Sequence, residues 1–318
     1  MDKWNHSATS LTHFVIAGIP GLQDTTSRAT LFVFFLVMYI ITVAENFVFI
    51  IVIKSDHALY SPMYLFICNL AFLDVLIPSV TIPQMLHYLI TEDGSIAFIP
   101  CIAQMALYLA FLLAEGFTLV VMSYDRYQAI CNPLHYNSVM TIKHAFMLCA
   151  LCWTIGSTYA ACYVYTVLRI PFCELNRIEY FCCDYMAIAL LACADISSQY
   201  RLDKIVALIF VGIQVFPVLF SYGKIIVAVL RITSAEGRKK AFSTCASHLL
   251  VIGVFYVALA FVLISYSVTG FSEQVRTSAA IVQNVMPSFV NPIIYCAKTK
   301  EIRASIIKIT KRYKLRSL

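Results

Sequence analysis

Seven long stretches of apolar residues, separated by short polar connectors, dominate the chain. They run roughly Thr30–Ile53, Ser61–Leu89, Phe98–Ile130, Ile142–Tyr165, Gln199–Ile232, Lys239–Ser267 and Val275–Ala297. A helix needs about 20 mostly apolar residues to cross the hydrocarbon core of a bilayer. Each stretch reaches that length, and three exceed it, which predicts tilt or extension into water. No Gly/Ser linker, low-complexity tract or internal repeat interrupts the series. The pattern predicts an all-α membrane protein. Its architecture is a seven-transmembrane helix bundle, a single domain over residues 1–318, with an N-terminal tail at 1–29 and a C-terminal tail at 298–318.

Composition agrees. Hydrophobic residues make up 61% of the chain and charged residues 13%, whereas a soluble domain is about a quarter charged. A soluble chain of this length has too little core to hide so much apolar surface. The net charge of +6 raises the question of nucleic acid, and the placement of the charges answers it. With the N-terminus extracellular, sixteen of the 23 Lys and Arg fall on the cytoplasmic side, many of them between Lys298 and Arg316. That is the positive-inside asymmetry of a membrane protein, so membrane lipid is the expected partner and nucleic acid is not. From Lys298 to Lys314, Ile302, Ile306, Ile307 and Ile309 are set among basic residues. This predicts a short amphipathic C-terminal helix held on the inner leaflet by anionic lipid; a disordered basic tail is the alternative. Met1–Gln23 holds no continuous apolar run, so no cleavable leader is expected and the first span acts as its own anchor. Asn5-His6-Ser7 is a glycosylation sequon in the extracellular tail. Of the twelve cysteines, Cys173, Cys182, Cys183 and Cys193 cluster in the connector before the fifth span. That clustering suits a disulfide-stapled loop in an oxidising compartment.

Short motifs then carry a resemblance. Met122-Ser-Tyr-Asp-Arg-Tyr-Gln-Ala-Ile-Cys131 continues into Asn132-Pro-Leu-His-Tyr136 at the end of the third span. Pro62-Met-Tyr-Leu-Phe66 and Leu70-Ala-Phe-Leu-Asp74 lie in the second span, Ser221-Tyr222 in the fifth, Lys240-Ala-Phe-Ser-Thr-Cys-Ala-Ser-His248 in the sixth and Asn291-Pro-Ile-Ile-Tyr295 in the seventh. In order and spacing these resemble the odorant receptors of the rhodopsin-like G-protein-coupled superfamily over nearly the whole chain. Gly18-Ile-Pro-Gly-Leu22 resembles the class I, fish-like branch. Two positions depart from the family pattern: Glu45 stands where Gly usually precedes Asn46, and Cys182 replaces an aromatic beside Cys183.

The residues and the resemblance together set expectations. Asp125 beside Arg126 at a cytoplasmic helix end makes a charge-pair switch, with Tyr127, Tyr222 and Tyr295 as its surroundings; a snorkelling Arg with a local partner is the plainer reading. Asp74, Glu115, Asn46 and Asn291 are intramembrane polar residues on four helices. Such groups face the bundle interior, and two carboxylates together demand a cation or a shared proton. The resemblance implies a sodium ion there, with Ser288 adding an oxygen; no other metal site and no other cofactor is expected. It also implies the bridges Cys101–Cys183 and Cys173–Cys193, Cys182 being a rival partner that sequence alone leaves open. Cys149 and Cys152 form a CxxC inside an apolar span and read as packing residues. The resemblance places Tyr108, Leu109, Leu112, Val206, Phe210, Tyr256, Leu259, Leu263 and Ser267 around a ligand pocket in the outer half of the bundle. Some class I receptors anchor acids through a basic residue near the outer end of the sixth helix, but here Leu263-Ile-Ser-Tyr-Ser-Val268 holds no cation. Lys204 is nearby, with Asp203 and Asp184 placed to neutralise it. A bare carboxylate in an apolar cavity without a counter-charge is costly. The expected ligand is therefore a small neutral organic odorant, oriented by hydroxyls of Tyr108, Tyr256 and Ser267.

The function implied is an odorant receptor of olfactory sensory neuron cilia, multi-pass in the plasma membrane. It would activate a stimulatory, olfactory-type heterotrimeric G protein and raise cyclic AMP. A non-olfactory receptor of the same superfamily is the alternative. An intramembrane enzyme is disfavoured because the chain lacks a Ser-His pair and a His-Glu-x-x-His cluster. A transporter is disfavoured by the odd span count and the lack of a repeat.

Overall fold

Long helices account for most of the molecule, and each apolar stretch becomes one. The computed structural model describes residues 12–19, 22, 24–172, 176–193, 195–268 and 270–316, excepting the side chains of residues 240, 241, 243, 244, 310 and 312–316. The long helices are α1 (Thr25–Ser55), α2 (Pro62–Thr91), α3 (Phe98–Cys131), α5 (Ile142–Val167), α7 (Ser197–Leu230), α8 (Ala235–Ser267) and α9 (Glu273–Lys298). Two short helices lie in connectors, α4 (Tyr136–Val139) and α6 (Tyr185–Ala189), and α10 (Lys300–Arg316) follows the bundle.

Six of the seven long helices are apolar and long enough to cross a membrane by composition alone. The seventh, α9, falls short because it turns a polar face inward. Gln283, Asn284, Ser288, Asn291 and Tyr295 recur at helical spacing and are all buried. The others turn apolar side chains outward: Phe34, Ile40, Leu151, Phe216 and Val257 are all exposed. Lipid is the medium that accepts such a surface, and the chain is a multi-pass membrane protein.

Local chemistry sets the helix ends. The side chains of Asp24, Thr141, Ser234 and Ser272 each accept from a backbone N–H in the first turn of α1, α5, α8 and α9, satisfying donors that a helix start leaves orphaned. Prolines interrupt α2 at Pro78 and Pro83, α7 at Pro217, and α9 at Pro287 and Pro292. Neighbouring helices tolerate such breaks inside a bundle. The central helix is α3, which meets α5, α7 and α2 over long interfaces. Gly156 of α5 makes one of these possible: a Cβ there would lie 2.3 Å from the carbonyl oxygen of Ala110.

The two ends of the bundle differ. One carries the start of α3 and is capped by a three-stranded sheet, ordered β2-β1-β3. Strand β1 (His13–Ile16) pairs antiparallel with β2 (Ser95–Ala97) and parallel with β3 (Arg177–Ile178). Within the segment 1–29, residues 13–16 thus form a strand and Thr25 opens α1. His13-Phe-Val-Ile16 alternates, and Phe14 and Ile16 are fully buried, Phe14 stacking on Phe98 at 5.6 Å. At the other end, α10 is a helix and not a loose tail. Its Ile302 and Ser305 are buried against the bundle. Ser305 Oγ donates to Asp56 Oδ2 at 2.7 Å, and Lys308 Nζ to Asp56 Oδ1 at 3.1 Å. These two donors hold the Asp56 carboxyl down at about 2, so the tether stays charged at any physiological pH.

Candidate functional site

Between the sheet-capped end and the middle of the bundle, α3, α5, α7, α8 and α9 enclose a cavity of about 190 Å³. The connector between α5 and α7 roofs it. Cys183 is bonded to Cys101 at the start of α3, and its backbone N–H donates to Gln104 Oε1 at 2.8 Å. Phe181, Cys182 and Cys183 are completely buried, and Cys182 is a free thiol. Cys193 is also disulfide-bonded; Cys173, its expected partner, lies outside the described residues, as does Asn5. Cys149 and Cys152 are free buried thiols within α5.

Seven of the nine expected pocket residues line this cavity: Tyr108, Leu109, Leu112, Phe210, Leu259, Leu263 and Ser267. Val206 and Tyr256 do not. Successive helix residues point about 100° apart; Phe255 takes the wall position, and Val206 faces the outer side of α7. The Tyr256 hydroxyl reaches the cavity only through Gln214 Oε1, at 3.3 Å. Tyr108 donates to Gln283 Oε1 at 2.9 Å. The expected orienting hydroxyls of Tyr108 and Tyr256 thus already have partners within the bundle.

Asp184 of the lid lines the cavity with Lys204, as expected, and the lid adds Tyr180, Tyr185 and Met186, which the sequence did not single out. Asp184 caps α6, its Oδ1 accepting from the backbone of Met186 at 2.9 Å. Burial pushes the Asp184 carboxyl up, and the backbone donors of Met186 and Ala187 pull against that shift. Lys204 also lines the cavity, and its surroundings differ from expectation. Asp203 points away, accepting from the Tyr185 hydroxyl at 2.6 Å and from Gln199 at 2.9 Å. Lys204 Nζ instead donates to the carbonyl of Tyr266 at 3.1 Å and sits 4.4 Å over the ring of Tyr200. The cavity therefore presents one ammonium and one carboxyl beside tyrosine and leucine walls.

A second cluster of polar groups lies in the middle of the bundle. Asn291 Nδ2 donates to both oxygens of Asp74, at 3.2 and 3.1 Å. Asn46 Nδ2 bridges the carbonyls of Thr42 and Ser288, each at 2.9 Å. Glu115 Oε1, Asn46 Oδ1, Asn291 Oδ1 and Glu45 Oε1 are buried with no hydrogen-bond partner among the described residues. Among the described residues, no group of three or more His, Cys, Asp or Glu is arranged to hold a metal ion.

At the far end of α3, Arg126 donates to Asp125 Oδ2 from Nε at 3.0 Å and from Nη2 at 2.5 Å. Asp125 Oδ1 accepts from the Tyr136 hydroxyl of α4 at 2.8 Å. The pair is buried. Tyr222 lies nearby in the same apolar cluster, its hydroxyl 2.6 Å from Nδ1 of the buried His248. Tyr295 is fully buried, and its hydroxyl has no hydrogen-bond partner among the described residues. Tyr127 packs against the same cluster, its ring tilted against Phe220.

A profile described as "Olfactory receptor" matches residues 35–312. Human olfactory receptor 6B1 is 36% identical over 301 residues, covering 95% of each chain. The mouse olfactory receptor 8B3 is 37% identical over 306 residues, covering 95% of this chain and 94% of its own. The chain belongs to the olfactory receptor family. Squid rhodopsin, at 16% identity, superposes with a TM-score of 0.72 over 91% of this chain and 87% of its own. The olfactory receptor thus has the seven-helix fold of a G-protein-coupled receptor, and members of this family are not enzymes. Two residues singled out in the sequence gain partners there that the motifs do not specify: Tyr136 completes the Asp125–Arg126 pair from eleven residues away, and Glu45 brings a third carboxylate near Asp74.

Proposed function

We propose that this olfactory receptor binds a small neutral organic odorant in the cavity beneath the lid and activates a stimulatory, olfactory-type heterotrimeric G protein, raising cyclic AMP. The observation that carries the ligand reading is the charge of the cavity wall. Lys204 and Asp184 face the same space, so a singly charged ligand meets a like charge together with its counter-charge. Lys204 retains a donor for a carbonyl or hydroxyl oxygen, and the tyrosine and leucine walls suit an apolar body. Alcohols, ketones and esters of matched length are expected to raise cyclic AMP in cells expressing the receptor, with carboxylic acids of equal length weaker by about tenfold or more. Strong activation by acids with silent neutral analogues would overturn this and make Lys204 an anion anchor. The class I, fish-like branch is part of the reading and rests on Gly18-Ile-Pro-Gly-Leu22. So are an extracellular N-terminus glycosylated at Asn5 and residence in the cilia of olfactory sensory neurons, which rest on the Lys and Arg asymmetry and on the family.

The same proposal assigns a sodium ion to Asp74 and Glu115 in the resting state. The buried oxygens of Glu115, Asn46 and Asn291 that lack donors support it, since oxygen ligands suit a hard cation. The backbone carbonyl of Ser288, by contrast, already serves Asn46. A ligand shifts a two-state equilibrium only by its differential affinity for the states. Sodium held at rest should therefore lower agonist potency as its concentration rises at constant ionic strength, and Glu115→Gln should remove that dependence. Potency flat across sodium in the parent receptor would instead favour a shared proton.

A further inference from the structure

The cavity is separated from the bilayer, on one side, by a single layer of aromatic rings. Helices α5 and α7 both pack on α3 yet barely approach one another. The gap between them is a lipid-facing groove of about 440 Å³, lined by Thr154, Thr158 and Cys162 of α5 and Leu202 and Val206 of α7. Leu202 and Cys162 are exposed there. Tyr159, Tyr163 and Phe210 line this groove and the ligand cavity alike. Their rings pack in tilted and T-shaped pairs: Tyr159 lies 4.7 Å from Tyr163 and 4.7 Å from Phe210, and Tyr163 lies 4.3 Å from Tyr185 of the lid. One weak hydrogen bond, from the Tyr159 hydroxyl to the Tyr163 oxygen at 3.3 Å, joins them.

We propose that this groove is a lateral portal. Through it a small apolar ligand dissolved in the bilayer reaches the cavity, with Tyr159, Tyr163 and Phe210 as the gate. The proposal rests on the reading of the cavity as the ligand site. Two facts favour this route over the roof. The lid above the cavity is pinned by the Cys101–Cys183 bridge and the Gln104 contact and is buried through Phe181 to Cys183, so moving it breaks covalent and hydrogen-bonded anchors. The rings of the side wall carry no covalent anchor and are held by ring contacts and the Tyr159–Tyr163 hydrogen bond. Apolar molecules also concentrate in lipid, at about 0.8 kcal/mol per buried methylene. The occupant of the groove is thus the receptor's own ligand in transit.

The test is labelling of a thiol placed inside the cavity, Val211→Cys, in receptor reconstituted in nanodiscs with Cys162→Ser to silence the groove. Two probes are used and the products mapped by peptide mass spectrometry. N-cyclohexylmaleimide partitions into lipid; 2-(trimethylammonium)ethyl methanethiosulfonate stays in water. The plug is Thr158→Trp, with Thr158→Phe as a milder second variant, and melting temperature verifies folding. The plug is expected to slow maleimide labelling by about tenfold or more and to leave labelling by the charged reagent unchanged. Equal maleimide rates with and without either plug would overturn the portal while leaving the cavity a ligand site. Charged reagent reacting as fast as the maleimide would show the roof to be the open side and overturn the portal as well. No maleimide labelling in the unplugged receptor would overturn both readings.

Discussion

Replacing Arg126 by alanine is expected to abolish odorant-driven cyclic AMP formation while leaving surface expression largely intact. The guanidinium is buried and held by both its Nε and Nη2 on Asp125. Removing one member of a buried charge pair typically costs about 3–5 kcal/mol, because the other charge is left uncompensated. Loss of the pair alone would move the population balance by about two orders of magnitude or more toward the released state, but in this switch the released Arg126 is the group that meets the G protein, so without it that state cannot signal. Folding is spared because Asp125 keeps the Tyr136 hydroxyl and lies at a helix end where water can reach once the guanidinium is gone. The same geometry supplies a complementary variant. Tyr136→Phe removes one donor from Asp125, a contact worth about 1 kcal/mol, and should raise ligand-free cyclic AMP severalfold by loosening the hold on Arg126. An N-terminal epitope stained on intact cells measures surface level in each case. Full signalling by Arg126→Ala would refute the switch, and unchanged basal activity in Tyr136→Phe would remove Tyr136 from it.

The spans were legible because lipid imposes a length and a composition. No predicted end differs from the observed one by more than five residues. The last span shows where that logic thins: α9 is recognisable less by apolarity than by Asn291-Pro292 and a polar face at helical spacing. The sheet cap was not legible. Its strands are two to four residues long and come from three distant segments, and strand pairing at that separation leaves no periodic trace. Asp125 and Arg126 are neighbours in sequence, so their pairing was open to reading, whereas Tyr136 arrives through the fold of α4. In the cavity, the α3 positions Tyr108, Leu109 and Leu112 came out as expected, while Tyr256 was one helix residue away from the wall position held by Phe255. Side-chain direction around a helix changes by about 100° per residue, so a small rotation of α8 decides which aromatic faces the ligand. The lid's Tyr185 and the orientation of Lys204 away from Asp203 depend on tertiary placement of an irregular connector, which no pattern specifies.

The outer staple makes the second large prediction. Cys101→Ser and Cys183→Ser should each prevent delivery to the cell surface, whereas Cys182→Ser should be delivered. The bridge joins residues 82 apart, and removing a native disulfide that closes a loop of this size typically costs about 2–5 kcal/mol. Here it also frees the strand of chain that roofs the cavity. Phe181 and Cys182 would lose their burial, and the Gln104 contact with the Cys183 backbone would lose its anchor. Cys182 is adjacent in sequence but does not substitute. It is fully buried, and desolvation, followed by the nearby Asp184, pushes its thiol well above the usual range. In the folded receptor Cys101 is bonded to Cys183 and Cys182 is a buried free thiol, and thiolate is the species that exchanges with disulfides. The matched set separates these roles: surface staining lost in the first two variants and retained in the third supports the staple as drawn. Non-reducing peptide mapping that joins Cys101 to Cys182 in the parent receptor, or surface delivery of Cys183→Ser at the parent level, would show that the two neighbouring cysteines exchange and that the lid is not held by a single bridge.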